Sequence, residues 1–133
     1  MDGTNLLPTP TREANNDMTY LDAMEQAILT HEGEITLIST GAMTSIATLL
    51  KLKPELIEKI KFISIMGGAF NGLGNKNVNQ SAEFNIWIDP HAAQFILTNS
   101  NFASKCILCP LNLTHKAIAT KEIMEEKIYP VQL

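Results

Sequence analysis

The residues best suited to holding a small polar ligand lie in one stretch, IMGGAFNGLGNKNVNQSAEFN at positions 65–85. Its adjacent glycines allow a close approach of the backbone. Asn77, Glu83 and Asn85 carry amide and carboxylate groups, which exchange hydrogen bonds with hydroxyl groups such as those of a sugar. A polyol-binding loop is one interpretation. An asparagine-rich loop that merely forms turns is the other, and the residues alone leave both open.

Other kinds of site fit this sequence less well. The segment GGAFNGLG lacks the G-x-G-x-x-G spacing of dinucleotide loops, and no G-K-[ST] follows it. The aspartates are scattered, so they predict neither an acid–base pair nor a cage for a hard cation. His31, His91 and His115 are each interpreted as structural or solvated residues at the ends of predicted elements. No nucleophile triad is predicted.

Two cysteines, Cys106 and Cys109, form a C-x-x-C pattern inside the apolar run KCILCP. A zinc site of this type needs a second pair, which the sequence lacks. Residues three apart in a strand point to opposite faces of the sheet. The pattern therefore predicts two buried strand thiols, which suits a reducing compartment.

The bulk composition is that of one globular domain. The chain has 133 residues, is 45% hydrophobic and 18% charged, and carries a net charge of -4. That charge does not favour nucleic-acid binding. No run reaches the roughly 20 apolar residues of a membrane span, and the first ten residues do not resemble a signal peptide. We expect a cytoplasmic protein.

Hydrophobic periodicity predicts alternating helices and strands. The first helix begins at Asp17 or Thr19 and ends at Gly33, and another begins at Pro90. The apolar runs EITLIST, KFISIM and KCILCPLNL are typical of strands covered on both faces. Further helices are expected in MTSIATLLKLKPELIEKI and TKEIMEEKIY. This order predicts an α/β fold, a parallel sheet with flanking helices, with a site beyond the carboxyl ends of the strands.

Three motifs in order resemble the inosine-uridine nucleoside hydrolase family, most of all its fungal uridine ribohydrolases. They are ITLISTGAMTSIATLLKLKPELIEKIKFISIMGGAF, NVNQSAEFNIWIDPHAAQFIL and PLNLTHKAIAT, and the likeness runs from about Asp2 to Thr120. The resemblance implies a Rossmann-like core and hydrolysis of the N-glycosidic bond of a ribonucleoside, giving free base and ribose. It also implies a bound calcium ion.

The resemblance assigns roles to individual residues. Thr40 matches the residue whose backbone carbonyl ligates calcium, and Met66 matches the residue that packs against the ribose. Asn77 and Glu83 match positions that hold the 5′-hydroxyl end, and Asn85 matches the amide on the ribose-diol side. His115 falls in the family's D-x-T-H signature, where Asn112 stands at the aspartate position.

Two parts of the family pattern do not appear in this sequence. They are the amino-terminal D-x-D-P-G-x-D-D cluster, which supplies the catalytic base and calcium ligands, and a carboxyl-terminal His-Asp pair. We therefore interpret residues 1–133 as the central part of a single nucleoside hydrolase domain with an incomplete sheet. It would carry ribose-binding positions but no catalytic residue, and would not bind calcium by itself. Alternatively, it is an inactive remnant that forms homo-oligomers or associates with a full-length paralogue.

Overall fold

A three-stranded parallel sheet forms the centre of the chain. The structure, a computed structural model, describes residues 11–14, 16–76 and 81–128. Strands β1 (Thr36–Ser39), β2 (Phe62–Met66) and β3 (Cys106–Cys109) lie in that order, with β2 in the middle. Both pairings are parallel, as the alternating sequence pattern predicted. The carboxyl ends of the strands therefore meet at one edge of the sheet.

Helices connect and cover the strands. The chain order of the described helices is α1 (Tyr20–Thr30), α2 (Thr44–Leu52), a 3₁₀ helix (Pro54–Lys59), α3 (Phe84–Ile88), α4 (Pro90–Thr98), α5 (Ser100–Ala103), α6 (Leu111–Thr114) and α7 (Lys121–Ile123), the last continuing as a π-helical segment (Met124–Ile128). Of the two N-caps predicted for α1, Thr19 is correct. Its hydroxyl accepts from the backbone N–H of Asp22, whose carboxylate accepts from the backbone N–H of Thr19 in return.

Two sequence predictions about elements need correction. The third strand ends at Cys109 rather than continuing through LNL, because Pro110 begins a turn in which Leu111 N–H donates to the Gly68 carbonyl at 3.0 Å. The short helices α3, α5 and α6 were not predicted. The described part of the chain contains no helix long and apolar enough to cross a membrane.

The hydrophobic core lies on one face of the sheet only. Ile63 and Ile65 of β2 are fully buried there against Ile46, Leu50 and Ile96 of helices α2 and α4, within one cluster of buried residues. The prediction that the strands are covered on both faces is wrong for the described residues. On the opposite face the exposed fractions are 70% for Ile38, 38% for Phe62 and 46% for Ile107.

The two cysteines lie on opposite faces of β3, as predicted. Cys106 pairs in register with Ile63 on the core face, and Cys109 pairs with Met66 on the other face. Both thiols are free but only partly buried, so the expectation of full burial is wrong. Partial burial raises the pKa of the Cys106 thiol, because desolvation disfavours the thiolate.

Candidate functional site

Asn85 joins the carboxyl ends of two neighbouring strands. It is 7% exposed and lies on α3. Its amide nitrogen Nδ2 donates to the backbone carbonyl of Thr40 at 3.2 Å and to that of Met66 at 2.9 Å. The same nitrogen lies 3.1 Å from Sδ of Met66. Three residues that the sequence assigned to one site, Thr40, Met66 and Asn85, are thus in direct contact.

Glu83 anchors the glycine turn after β2 to helix α3. Its side chain is buried at 3% exposure, and Oε2 accepts from the backbone N–H of Gly68 and of Ile86, each at 3.1 Å. The second of these bonds makes Glu83 the N-cap of α3. Glu83 and Asn85 therefore fix the carboxyl ends of β1 and β2 relative to α3.

The two adjacent glycines have separate structural reasons. Gly68 has a φ of 81°, a left-handed conformation that favours glycine. A Cβ at Gly67 would lie 3.3 Å from Cδ1 of Ile86 and 3.5 Å from Oε2 of Glu83. A side chain at position 67 would therefore require the end of the Ile86 side chain to shift slightly.

Asn112 connects helix α6 to the loop after β2, a contact that the sequence did not predict. Its Oδ1 accepts from the backbone N–H of Phe70 at 2.9 Å, and its Nδ2 donates to the Phe70 carbonyl at 3.1 Å. The side chain therefore binds both polar groups of one residue in the loop after β2. His115, in the same signature, is the exposed C-cap residue of α6.

Asp89 links the helices on either side of the site and was not predicted as a site residue. It caps α4 by accepting from the backbone N–H of Ala92 at 2.9 Å, and it accepts from the Thr44 hydroxyl at 2.5 Å. The Thr44 hydrogen bond, followed by the Ala92 N–H, lowers the pKa of the Asp89 carboxyl. Helix α2 follows the loop that contains Thr40, and α4 follows α3, which carries Asn85. The hydrogen bond between Thr44 and Asp89 therefore connects the segments that carry these two site residues. The sequence feature that could have indicated the capping role of Asp89 is the Asp-Pro pair at the start of a predicted helix.

The donor set in the described residues does not by itself fit a calcium cage. Calcium takes six to eight oxygen ligands. The Thr40 carbonyl is one oxygen, and it already accepts from Asn85. Residues 11–14, 16–76 and 81–128 contain no cluster of three or more His, Cys, Asp or Glu side chains that could hold a metal.

The site is an open surface in the part of the chain that the structure describes, where no pocket encloses it. Asn77, the fourth predicted ribose contact, lies outside the described residues. The hydrogen bonds above use Oε2 of Glu83 and Nδ2 of Asn85, and Oε1 and Oδ1 take no part in them. Such oxygens are acceptors for hydroxyl groups.

A parallel α/β sheet with buried polar side chains at its carboxyl edge defines a class of proteins that bind small ligands at that edge. Comparison with known proteins gives the family. The sequence model of the inosine-uridine preferring nucleoside hydrolases matches residues 1–132, and this chain belongs to that family. The predicted resemblance and fold are confirmed.

Individual relatives agree with this assignment. The chain is 57% identical to uridine nucleosidase from Saccharomyces cerevisiae over 125 residues, which are 94% of this chain and 37% of that protein. It is 40% identical to a pyrimidine-specific ribonucleoside hydrolase from Escherichia coli over 111 residues, 84% of this chain and 33% of the relative. A plant nucleoside hydrolase structure superposes with a TM-score of 0.69 at 34% identity, covering 84% of this chain and 34% of that one. The matched part of the chain therefore spans about a third of the length of these relatives.

Proposed function

We propose that this chain supplies the ribose-binding part of a ribonucleoside hydrolase whose substrate is uridine. The observation that carries the proposal is the contact of Asn85 with Thr40 and Met66 at the carboxyl ends of β1 and β2. Membership of the nucleoside hydrolase family supports N-ribosyl hydrolysis as the reaction class. The names of the yeast and bacterial relatives support a pyrimidine ribonucleoside, and the yeast one supports uridine.

Each predicted residue has a role in this proposal. Oδ1 of Asn85 accepts from the ribose diol, while its Nδ2 keeps the amide oriented through the two strand-end carbonyls. Oε1 of Glu83, together with Asn77, receives the 5′-hydroxyl end, and the two backbone N–H groups on Oε2 hold the carboxylate in place. Met66, half-buried beside Asn85, packs against the sugar ring.

The catalytic groups lie outside this chain in our proposal. The family pattern places the catalytic base in an aspartate cluster that the sequence lacks, so residues 1–133 form the central part of one hydrolase domain. Any calcium site needs ligands from outside this chain, with the Thr40 carbonyl as the contribution made here. The isolated chain is then inactive, and a cytoplasmic location stays a prediction from the sequence.

A chimera tests the proposed role of Asn85. The 125 residues of yeast uridine nucleosidase that match this chain are replaced by those of this chain, and uracil release from uridine is measured. Asn85→Asp turns an amide donor towards two carbonyls into an acceptor, and we expect kcat/KM to fall about tenfold or more. The matched control is Asn101→Asp, at an exposed position on α5, which should leave kcat/KM unchanged. Equal activity of both folded variants would contradict the assignment.

The alternative, an inactive remnant that acts by association, is favoured by one specific observation. Apolar side chains of all three strands are exposed on the face of the sheet opposite the core. Exposed apolar patches of this kind mark interaction surfaces. Oligomer formation, or association with a full-length paralogue, would cover such a face.

A further inference from the structure

The thioether of Met66 makes a polar contact at the carboxyl edge of the sheet. Its Sδ lies 3.1 Å from Nδ2 of Asn85, which also donates to the backbone carbonyls of Met66 at 2.9 Å and of Thr40 at 3.2 Å. An amide nitrogen carries two hydrogens, so three acceptors among the described residues compete for them. The sulfur is the weakest of the three, because a thioether accepts hydrogen bonds poorly. A stronger acceptor on this side chain would therefore change how Asn85 holds the two strand ends.

Met66 is accessible to a small oxidant. It is only partly buried at the end of β2, and no pocket encloses this edge in the part of the chain that the structure describes. Met43, by contrast, is fully buried in the core, and Met18 is 41% exposed. Methionine oxidation to the sulfoxide is a common reaction of accessible thioethers. The three side chains should therefore react in the order Met18, Met66, Met43.

We propose that Met66 is a site of reversible oxidation by hydrogen peroxide, and that its sulfoxide draws the Asn85 amide away from the Thr40 carbonyl. In the oxidation, a lone pair of the sulfur attacks one peroxide oxygen and the O–O bond breaks. A sulfur–oxygen bond forms, and the other peroxide oxygen leaves as water after taking up the proton of the first. The thioether loses two electrons and the peroxide gains them.

The change at the sulfur redistributes the hydrogen bonds of Asn85. Oxidation converts an apolar thioether into a polar sulfoxide, whose oxygen accepts hydrogen bonds. Rotation about the flexible methionine side chain brings this oxygen to Nδ2. The bond to Thr40, the longer of the two carbonyl bonds, is then lost, and the end of β1 is released from α3. In the proposed function this loosens the ribose-binding edge, a consequence that alone rests on that function.

Mass spectrometry and NMR of the 133-residue chain test the inference. After peroxide treatment, we expect Met66 to gain an oxygen faster than Met43. As it does so, the side-chain amide resonance of Asn85 and the carbonyl resonance of Thr40 should shift. The free thiol of Cys109 is in register with Met66, so its oxidation must be distinguished. Methionine sulfoxide reductases for both epimers should restore the resonances, whereas dithiothreitol alone, which reduces oxidised thiols, should not.

Two substitutions assign the shift to one sulfur. Met66→Leu nearly keeps the apolar volume but removes the sulfur, so peroxide should leave the Asn85 resonance unshifted. The matched control, Met18→Leu at an exposed position, should show the same shift as the unmodified chain.

Three results would overturn the inference. The first is a Met66 that oxidises no faster than Met43. The second is an oxidised Met66 with no shift at Asn85 or at Thr40. The third is an equal shift at Asn85 in Met66→Leu. Because these readouts involve no hydrolysis, a chimera that releases no uracil would count against the proposed function and not against this modification site.

Discussion

At the residue scale, Asn85 has the clearest measurable consequence. In the 133-residue chain, Asn85→Asp directs a carboxylate at the carbonyls of Thr40 and Met66, which have lost their donor. We expect the free energy of unfolding, measured by urea titration, to fall by about 1–3 kcal/mol. Asn101→Asp, at an exposed position, should change it by less than about 0.5 kcal/mol. Similar values for the two variants would mean that the strand-end bonds contribute little.

Asn112 gives a second test at the same scale. An amide can both accept from the N–H of Phe70 and donate to its carbonyl, whereas a carboxylate can only accept. Asn112→Asp restores the aspartate of the D-x-T-H signature, yet here it should lower the free energy of unfolding by about 1 kcal/mol. A variant as stable as the unmodified chain, by the same urea titration, would contradict this account of Asn112.

The sequence grouped residues that lie together, but it did not indicate the contacts that they make. Thr40, Met66, Glu83 and Asn85 were assigned from motifs, and the structure brings Asn85 against Thr40 and Met66 and ties Glu83 to the adjacent turn. The Asn112–Phe70 contact spans 42 positions, and no local pattern encodes such a partner.

At the element scale, the link between α2 and α4 is testable through the titration of Asp89. Thr44→Val removes the hydroxyl that lowers the pKa of this carboxyl, so the pKa should rise towards its ordinary value. A carboxyl whose pKa is lower in the folded state stabilises the fold above its unfolded-state pKa, and this contribution disappears as the pH falls through the folded pKa. Above about pH 4, Thr44→Val should therefore have a lower free energy of unfolding than the unmodified chain. This difference should disappear in acid.

Carbon-detected NMR titration of the aspartate carboxyls provides this measurement. Asp22, whose pKa is lowered by the Thr19 hydroxyl at the start of α1, is the internal control and should titrate identically in both proteins. An unchanged Asp89 titration would show that Thr44 does not hold the carboxylate in solution.

The turn after β2 depends on a left-handed glycine. Gly68→Ala meets no close neighbour, since the nearest atom to the added Cβ is Cδ2 of Leu108 at 3.7 Å, so its cost is the positive φ alone. We expect the free energy of unfolding to fall by about 1–2 kcal/mol. Gly41→Ala, where a Cβ meets nothing within 4 Å and φ is not positive, is the matched control and should change it little. Equal effects at the two positions would refute a special conformational role for Gly68.

Element prediction succeeded where a segment is long enough to show a period. The strands and helices α1, α2 and α4 each follow an apolar repeat with a recognisable cap or breaker. Helices α3 and α5 have only five and four residues, which is too few to display a helical period. Their N-caps are the side chains of Glu83 and Asn99, and both become evident only once the backbone path is known.

At the scale of the whole molecule, the sequence indicated a sheet covered on both faces, and the described residues cover one. An apolar run such as EITLIST predicts a strand with two covered faces, but it does not indicate which segment covers the second face. That ambiguity is why this run was predicted to be covered on both faces although its Ile38 is 70% exposed. The incomplete burial agrees with a chain that spans about a third of the length of its relatives.

The measurement that tests the central claim most directly is uracil release from uridine, compared between the isolated chain and the yeast chimera. We predict that the folded chimera hydrolyses uridine, because in our proposal this chain supplies the ribose-binding positions and the catalytic groups come from the remaining segments. The isolated chain should release no uracil above background at the same concentration. A folded chimera without activity, or an isolated chain that matches the chimera, would contradict the account.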